Sequence, residues 1–397
     1  MLIIRENLNG NLNLNGKLNG KLNGNLNGNG NGMSGEKMMK KICVVAGARP
    51  NFVKVAPLIR AIRNNKGATC ELVYAGSEDD PTLEDSLFDD LQMPRPDAYL
   101  GVDSQRLNEM TAQVMERFDC YLAEHPADVV VVVDDLASTM AAAITTKKSG
   151  RLLAHLVAGT RSFDITMPKE VNRLVIDALS DYLFTAGVKS NSVATREQQS
   201  ESAQTFMVGN ILMDTLRYNL PRFRQPDIGV SEGGYIVFTL NRRVLLADEA
   251  NLELMLQTLI EHTGNVPVVA PLRPSALAVV VRLLTRLGVR SAKFRVLCPL
   301  PYLEFGWLTA HAKGIVTDSG NVAEEATFNG VPCITLNDYT EHQETVSVGS
   351  NVLVGGDAGK LREALTDLMR GQWKKCALPD RWDGRTAERI VQILTGA

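Results

Sequence analysis

The stretch "KICVVAGARPNFVKVAPLIRAIRNN", residues 41–65, contains a complete strand, turn and helix. Its first part, "KICVVAG", is a continuous apolar run, which is typical of a strand that is buried on both faces. Gly47 lets the chain turn and Pro50 ends the strand. The residues that follow are apolar at a spacing of three to four, which predicts a helix. The unit therefore predicts an α/β protein with a parallel sheet.

The same alternation recurs along the rest of the chain. Apolar runs follow in "CELVYAG", "DVVVVVD", "RLLAHLV", "DYLFTAG" and "AQTFMVG", with helical patterns between some of them. Residues 222–234, "RFRQPDIGVSEGG", break the pattern, and it restarts with "YIVFTL", "NVPVVAP", "FRVLCPL", "GIVTDSG" and "VPCITL". We therefore predict two doubly wound, Rossmann-like α/β domains that face a cleft. The cleft between two such domains is the expected ligand site.

Composition excludes several classes of partner. A net charge of −3 gives no electrostatic reason to expect nucleic acid or an anionic membrane. No apolar run approaches the roughly 20 residues of a membrane-spanning helix. The six cysteines are scattered, and the five histidines lack metal-ligand spacing. We therefore expect a cytoplasmic protein with reduced cysteines, no metal and no cofactor.

Two turns after predicted strands carry candidate binding groups. In "AGARPNFVK", Arg49 and Lys54 bring two cations to a helix N-terminus, a combination that suits an anion. In "TDSGNVAEEATFNGVP", Ser319, Gly320 and Asn321 open a helix whose free N–H groups can hold phosphate. Each signal also has a simpler interpretation, as a solvated turn in the first case and an ordinary helix cap in the second.

Ordered motifs over residues 41–397 resemble one known family. In sequence order they are "GARPNFVKVAPLIRAI", "DDLAST", "AGTRSFDITMPKEVNR", "VGNILMDTL", "TLNRR", "TDSGNVAEEA", "GVPCITL" and "TEHQETVSVGSN". This set is similar to that of the non-hydrolysing UDP-N-acetylglucosamine 2-epimerases, which have the GT-B fold. The resemblance implies inversion of C2 of the sugar, by elimination of UDP to a glycal and addition from the other face. That chemistry needs a base at C2, an acid for the other face, and cations for the departing diphosphate.

The catalytic motifs depart from the family pattern. The family's "HGD" appears as "VDD", which keeps Asp135, whereas "VEAG" appears as "LVAG", with Val157 in place of a glutamate. The family's "PEE" appears as "PKE", which places Lys169 at the other catalytic glutamate and keeps Glu170. We predict that Asp135, Lys169 and Glu170 are the catalytic residues. The alternative for Asp135 is a role as cap of the helix that begins in "LASTMAAAI".

The binding motifs are partly retained. "TLNRR" has Asn241 in place of a histidine, "PLRP" has Arg273, and "TEHQE" has His342 in place of an arginine. Glu325 is positioned one turn into its helix to accept hydrogen bonds from ribose. The predicted substrate-binding residues are Arg49, Lys54, Arg161, Asn241, Arg242, Arg273, Ser319, Gly320, Asn321, Glu325, His342 and Glu344.

The predicted domain organisation follows from the pattern and the resemblance. Residues 1–36 are a low-complexity Asn/Leu/Gly tail, which we expect to be disordered. The N-terminal Rossmann-like domain covers 37–222, a linker covers 223–234, and the nucleotide-binding Rossmann-like domain covers 235–380. The resemblance implies that a C-terminal helix in 381–397 packs near or across the domain boundary, and that the protein forms a homodimer.

Three functional interpretations stay open at this point. The first is a divergent enzyme acting on a UDP-HexNAc-like or related sugar, by isomerisation, elimination, hydrolysis or transfer. The second is a true UDP-N-acetylglucosamine 2-epimerase in which Glu170 or Asp164 compensates for the missing acids. The third is an inactive UDP-sugar-binding protein or partner subunit. Retained or added cations, such as Arg49, Lys54 and Arg273, favour the first interpretation.

Overall fold

A computed structural model describes residues 39–104 and 106–396 of the chain. The tail predicted over residues 1–36 lies outside the described residues. The described residues form one compact unit, which contains two separate parallel sheets. The predicted fold class, an α/β protein with two Rossmann-like halves, is therefore confirmed.

The N-terminal half is built on a seven-stranded sheet of order β3-β2-β1-β4-β5-β6-β7. Its strands are β1 (Lys40–Ala46), β2 (Ala68–Tyr74), β3 (Ala98–Tyr99), β4 (Val129–Val133), β5 (Leu152–Ala158), β6 (Tyr182–Thr185) and β7 (Gln204–Met207). Its helices are α1 (Arg49–Arg63), α2 (Asp85–Leu91), α3 (Leu107–Glu124), α4 (Ala137–Lys148), α5 (Pro168–Leu179), α6 (Val188–Glu197) and α7 (Ile211–Asn219), followed by a short 3-10 turn (Leu220–Arg222).

The C-terminal half is built on a six-stranded sheet of order β10-β9-β8-β11-β12-β13. Its strands are β8 (Ile236–Thr239), β9 (Val268–Pro271), β10 (Phe294–Leu297), β11 (Gly314–Thr317), β12 (Cys333–Thr335) and β13 (Asn351–Leu353). Its helices are α8 (Arg243–Ala247), α9 (Glu249–His262), α10 (Pro274–Arg286), α11 (Tyr302–Ala310), α12 (Gly320–Asn329), α13 (Glu344–Ser347) and α14 (Ala358–Arg370).

Strand order reverses direction once in each sheet, and this positions the site. In the first sheet β1 lies between β2 and β4, and in the second β8 lies between β9 and β11. Helices that follow the two central strands therefore leave on opposite faces, which opens a crevice at the strands' carboxyl ends. All five valines of β4 are fully buried, as expected for a strand covered by helices on both faces.

The C-terminal segment packs against the N-terminal half of the protein. Helix α15 (Thr386–Thr395) packs against α1 and α7. The carboxylate of Asp214 accepts hydrogen bonds from the first N–H groups of this helix, Thr386 N at 3.0 Å and Ala387 N at 2.8 Å. Trp382, which is fully buried, donates its indole N–H to the carbonyl of Ala186 at 3.0 Å. This segment therefore ties the end of the chain to the first half.

Candidate functional site

The two halves together enclose a cavity of about 630 Å³ at the carboxyl ends of their strands. One wall is formed by residues that follow strands β1, β4 and β5, and the other by residues that follow strands β8, β11 and β12. The predicted site residues that line this cavity are Lys54, Asp135, Lys169, Asn241, Arg242, Ser319, Gly320, Asn321 and His342.

The first wall begins at the turn between β1 and α1. A Cβ atom on Gly47 would lie 2.3 Å from the hydroxyl of Ser138, so the close approach of this turn requires glycine. The Asn51 side chain accepts the N–H of Gly47 at 2.9 Å and donates to Asp134 at 2.8 Å. Lys54 donates to the other oxygen of Asp134 at 2.6 Å. Burial opposes the charge of Lys54, but Asp134 and Glu324 hold its pKa above the ordinary value, so it presents a permanent cation.

Asp135 faces the cavity from the end of β4 as part of an ionic cluster. Lys169 Nζ lies 3.1 Å from one carboxylate oxygen, and Arg173 Nε donates to the other at 2.8 Å. Burial raises the pKa of Asp135, yet Lys169 and Arg173 outweigh it and the pKa lies below its ordinary value. Asp135 is therefore ionised near neutral pH and can accept a proton. Helix α4 is capped at Leu136, with no side-chain hydrogen bond, so Asp135 does not serve as its cap.

Lys169 is the more exposed partner in that cluster, with 63% of its side chain accessible. In this arrangement its ammonium donates to a carboxylate, and an ammonium can give a proton but cannot take one. The geometry therefore favours a donor role for Lys169.

Glu170 lies behind the cavity wall. Its carboxylate accepts the N–H groups of Ser162 at 2.8 Å and Phe163 at 3.1 Å, and it pairs with Arg173 at 3.2 Å. Although burial opposes ionisation, these hydrogen bonds and Arg173 hold the pKa of Glu170 below its ordinary value. The contacts are those of a group that fixes the loop after β5 and orients Arg173.

Arg161 also lies outside the cavity lining. This buried guanidinium pairs with Asp177 at 2.7 Å and with Glu197 at 2.9 Å, both within the N-terminal half. These contacts differ from the substrate contact that the sequence predicted, because both carboxylates lie on helices that cover the first sheet.

Val157 occupies a strained backbone position in the cavity wall. Its φ is 75°, in the left-handed region that β-branched residues avoid. The register between β5 and β6 shifts at this point, between Leu156 and Ala158. Such strain costs about 1–3 kcal/mol and is concentrated at functional sites. Val157 therefore marks a strained point of the cavity wall, and its side chain can exchange no proton.

The second wall is formed by the turns after β8 and β11. Asp318 accepts the N–H groups of Asn241 at 2.7 Å and Arg242 at 2.6 Å, which fixes the β8 turn. Ser319 is the N-cap of α12, so the free N–H groups of that helix point toward the cavity. Asn241, Arg242, Arg273 and Ser319 also line an adjoining cavity of about 390 Å³ within the C-terminal half.

Helix α12 presents Glu324, and not the predicted Glu325, to the cavity. Glu324 accepts the amide of Asn210 at 2.6 Å and lies 3.7 Å from His342. Glu325 is buried one position further along the helix, where burial first and then Glu324 raise its pKa to about 8. Consecutive helical residues are separated by about 100° around the axis, and here that rotation turns Glu325 away from the cavity.

Glu325 gives the protein a testable pH dependence. Between its ordinary pKa of 4.5 and about 8, the folded protein binds more protons at this group than the unfolded chain does. The free energy of unfolding therefore falls as pH rises through that window. We expect Glu325→Gln to be more stable than wild type by about 2–4 kcal/mol at pH 8, and similar to it at pH 5. Urea denaturation at both pH values measures this.

Glu363→Gln, on the exposed face of α14, is the matched control and should leave the pH profile unchanged. An unaltered wild-type pH slope in the Glu325→Gln variant would contradict the assignment.

Several polar contacts join the two halves. Arg173 pairs with Glu341, and the carboxylate of Glu344 accepts the N–H of Lys189 at 3.3 Å at the start of α6. Glu344 is thus an interdomain contact in this structure.

Arg49 lies at the start of α1, where its Nε donates to the carbonyl of Thr82 at 2.9 Å. The sequence did not identify Arg173 and Glu341, because their pairing joins residues 168 positions apart.

Within residues 39–104 and 106–396, no three His, Cys, Asp or Glu side chains come together as a group that could hold a metal ion. Among the helices of that part of the chain, none combines the length and apolar content needed to cross a membrane.

Comparison with known proteins identifies the family. Residues 60–395 match the family model of UDP-N-acetylglucosamine 2-epimerase. A relative in Pseudomonas aeruginosa, UDP-2,3-diacetamido-2,3-dideoxy-D-glucuronate 2-epimerase, is 35% identical over 89% of this chain and 99% of its own length. The chain therefore belongs to the UDP-N-acetylglucosamine 2-epimerase family, and the resemblance seen in the motifs is confirmed.

Solved structures agree with this assignment. The UDP-GlcNAc 2-epimerase of Methanocaldococcus jannaschii, crystallised with UDP-GlcNAc and UDP, matches with a TM-score of 0.78 and 30% identity, over 90% of this chain and all of that one. The enzyme of Neisseria meningitidis, bound to UDP-GlcNAc, matches with a TM-score of 0.81 over 90% of this chain and all of that one, but at 24% identity it supports the fold alone.

Proposed function

We propose that this chain acts on a UDP-activated amino sugar in the cleft between its halves, with acid–base chemistry that differs from the family pattern. The observation that carries the proposal is the pair Asp135–Lys169, an ionised carboxylate and an ammonium 3.1 Å apart at the cavity surface. In the family's reaction a base removes the C2 proton while the C1–O bond to UDP breaks, and a glycal forms. UDP then adds back and a proton reaches C2 from the other face.

Asp135, Lys169 and Glu170 have different proposed roles in this reaction. Asp135 is the proposed base, because its ionised carboxylate lines the cavity at the end of β4. Lys169 is the proposed proton donor, and Glu170 supports both by holding Arg173 and the loop after β5. Val157 offers no second carboxylate, so inversion by the family's route should be slow. Two alternatives compete with this proposal. In one, Asp164 or Glu170 compensates for the missing acids, and in the other, the protein binds UDP-sugars but is inactive.

The diphosphate is proposed to lie at the start of α12. There the Ser319 turn provides N–H donors, and Arg242 and Lys54 provide cations from opposite walls. The uridine is proposed to occupy the adjoining cavity beside Arg273. A contact from Arg49 to the nucleotide stays a prediction.

The position of Lys169 favours an anionic sugar as a second candidate substrate. One relative acts on a UDP-activated glucuronate and another is a UDP-GlcNAc 2-epimerase. Lys169 places a cation in the cleft where the family pattern has a glutamate, which would attract a sugar carboxylate that the glutamate repels. Lys169→Gln should then lower kcat/KM for the glucuronate more than for UDP-GlcNAc.

Incubation with a panel of UDP-sugars in D₂O, followed by proton NMR, tests the function. Deuterium at C2 supports proton exchange and epimerisation, and free UDP without deuterated sugar supports elimination or hydrolysis. If the protein binds UDP but changes no sugar in the panel, the proposed enzymatic function is wrong and the inactive alternative stands.

Arg242 allows a direct test of the diphosphate site. Its side chain is exposed and lines both cavities. Removal of a charge-assisted hydrogen bond costs about 1–3 kcal/mol, so Arg242→Ala should weaken UDP binding by that amount in calorimetry. Arg243→Ala is the control, since the neighbouring residue is also exposed and lines neither cavity. Equal affinities for both variants would remove Arg242 from the site.

A further inference from the structure

A buried histidine lies directly beneath the proposed base. His155, in β5, is 1% exposed, and its ring contacts two different groups. Nδ1 lies 2.6 Å from a carboxylate oxygen of Asp177 on α5, and Nε2 lies 3.0 Å from the backbone carbonyl of Asp134. A carbonyl oxygen can only accept, so Nε2 carries a hydrogen and donates it to Asp134.

Asp177 connects this histidine to a second turn of the site. Its other carboxylate oxygen accepts the N–H of Gly159 at 3.0 Å and pairs with Arg161 at 2.7 Å. Although burial opposes ionisation, His155 and Arg161 hold the pKa of Asp177 below its ordinary value. One buried carboxylate therefore fixes the turn after β5 directly, and the turn after β4 through His155.

The turn after β4 contains a left-handed residue that is not glycine, and the turn after β5 contains a left-handed glycine that its neighbours enclose. Asp134 has a φ of 60° and Gly159 a φ of 73°. A Cβ atom on Gly159 would lie 2.1 Å from the carbonyl oxygen of Ser190, so this turn is also tightly enclosed. Unfavourable backbone conformations persist only where the surrounding contacts determine them. The bond from His155 to the Asp134 carbonyl is such a contact, and Asp135 is the next residue.

We infer that Asp177 and His155 form a positioning pair that sets the direction in which Asp135 enters the cleft. The Nε2–H of His155 donates to the carbonyl of the peptide group that joins Asp134 to Asp135. The carboxylate of Asp177 fixes the ring of His155 through Nδ1. Neither residue exchanges a proton with substrate in this role. The inference rests on the proposed function, because Asp135 is its proposed base.

Two substitutions at one position separate the two bonds of His155. The amide nitrogen of asparagine can take the place of Nδ1, and that of the longer glutamine can take the place of Nε2. His155→Asn thus keeps the contact to Asp177 and loses the one to Asp134, whereas His155→Gln keeps the bond that positions Asp135. A misplacement of about 1 Å can cost about 100-fold in rate, so we expect His155→Asn to lower kcat for C2 exchange about 100-fold and His155→Gln far less.

Three readouts distinguish positioning from a general loss of stability. UDP affinity should stay unchanged in both variants, because the hydrogen bonds of His155 go to Asp134 and Asp177 and not to the Ser319 turn. The melting temperatures of the two variants should be similar. Amide hydrogen exchange of residues 133–138 should accelerate in His155→Asn and not in His155→Gln, since the Asp134 N–H is bonded to the Leu156 carbonyl at 3.2 Å beside the lost contact. The same pair of substitutions at His262, on α9 of the other half, is the control.

The outcomes separate this inference from the proposed function. If the wild-type protein shows no C2 exchange with any UDP-sugar, the proposed function fails, and the hydrogen exchange of residues 133–138 still decides the positioning role. Equal effects of asparagine and glutamine on the exchange of that segment would overturn the inference. If His155→Asn does not fold, His155→Gln decides alone: unchanged exchange of residues 133–138 in that variant supports the inference, and accelerated exchange overturns it.

Discussion

Asp135→Asn is expected to lower C2 exchange of the nucleotide sugar by about 10²–10⁴-fold, the usual cost of losing a general base. Asparagine has the same size but cannot take a proton. The fold should survive, because Arg173 keeps Glu170 at 3.2 Å and its pairing with Glu341. Turnover by NMR in D₂O, together with the melting temperature, measures both parts of the prediction.

Asp181→Asn is the matched control for this variant. Asp181 is also a partly buried carboxylate that pairs with a lysine, Lys147 at 2.8 Å, but it precedes β6 and so lies at the amino ends of the strands, away from the cavity. It should keep full turnover. Unchanged turnover in Asp135→Asn would show that Asp135 carries no proton and would leave it a structural partner of Arg173.

The double change Val157→Glu and Lys169→Glu is expected to raise C2 epimerisation by about 10²–10⁴-fold, because it restores two acids where the family pattern has them. A glutamate at position 169 would place a like charge near Asp135 in place of the ammonium that now lies 3.1 Å away. Like charges raise a carboxyl pKa, which gives the site a group that can act as an acid. Deuterium uptake at C2 of UDP-GlcNAc measures the gain.

Val157→Gln with Lys169→Gln is the control, since it changes size and polarity in the same way but supplies no exchangeable acid. A gain in both double variants would mean that removal of Lys169, and not the new acids, activates the protein. Fast uptake by the wild-type protein would show that a residue outside Asp135 and Lys169 already supplies the missing chemistry.

Local pattern was sufficient to predict the main elements of the fold. Continuous apolar runs such as "VVVVV" became β4, and the helix predicted after "KICVVAG" became α1. The two strands that the sequence did not predict are the edge strands β3 and β13, of two and three residues. Their signal was absent because such short segments contain no periodicity, and they form only when a neighbouring strand offers its hydrogen bonds.

The sequence by itself determined the family, the two halves and the turns that line the cleft, because these depend on residues that are close together in the chain. Only the tertiary structure decided which charged groups meet. It paired Arg173 with Glu341 across the halves, buried Arg161 beside Asp177, and turned Glu324 instead of Glu325 toward the cavity. The physical reason is that an ion pair depends on distances of a few ångströms and on the rotation of a helix about its axis, and neither is encoded in the identity of a single residue or its neighbours.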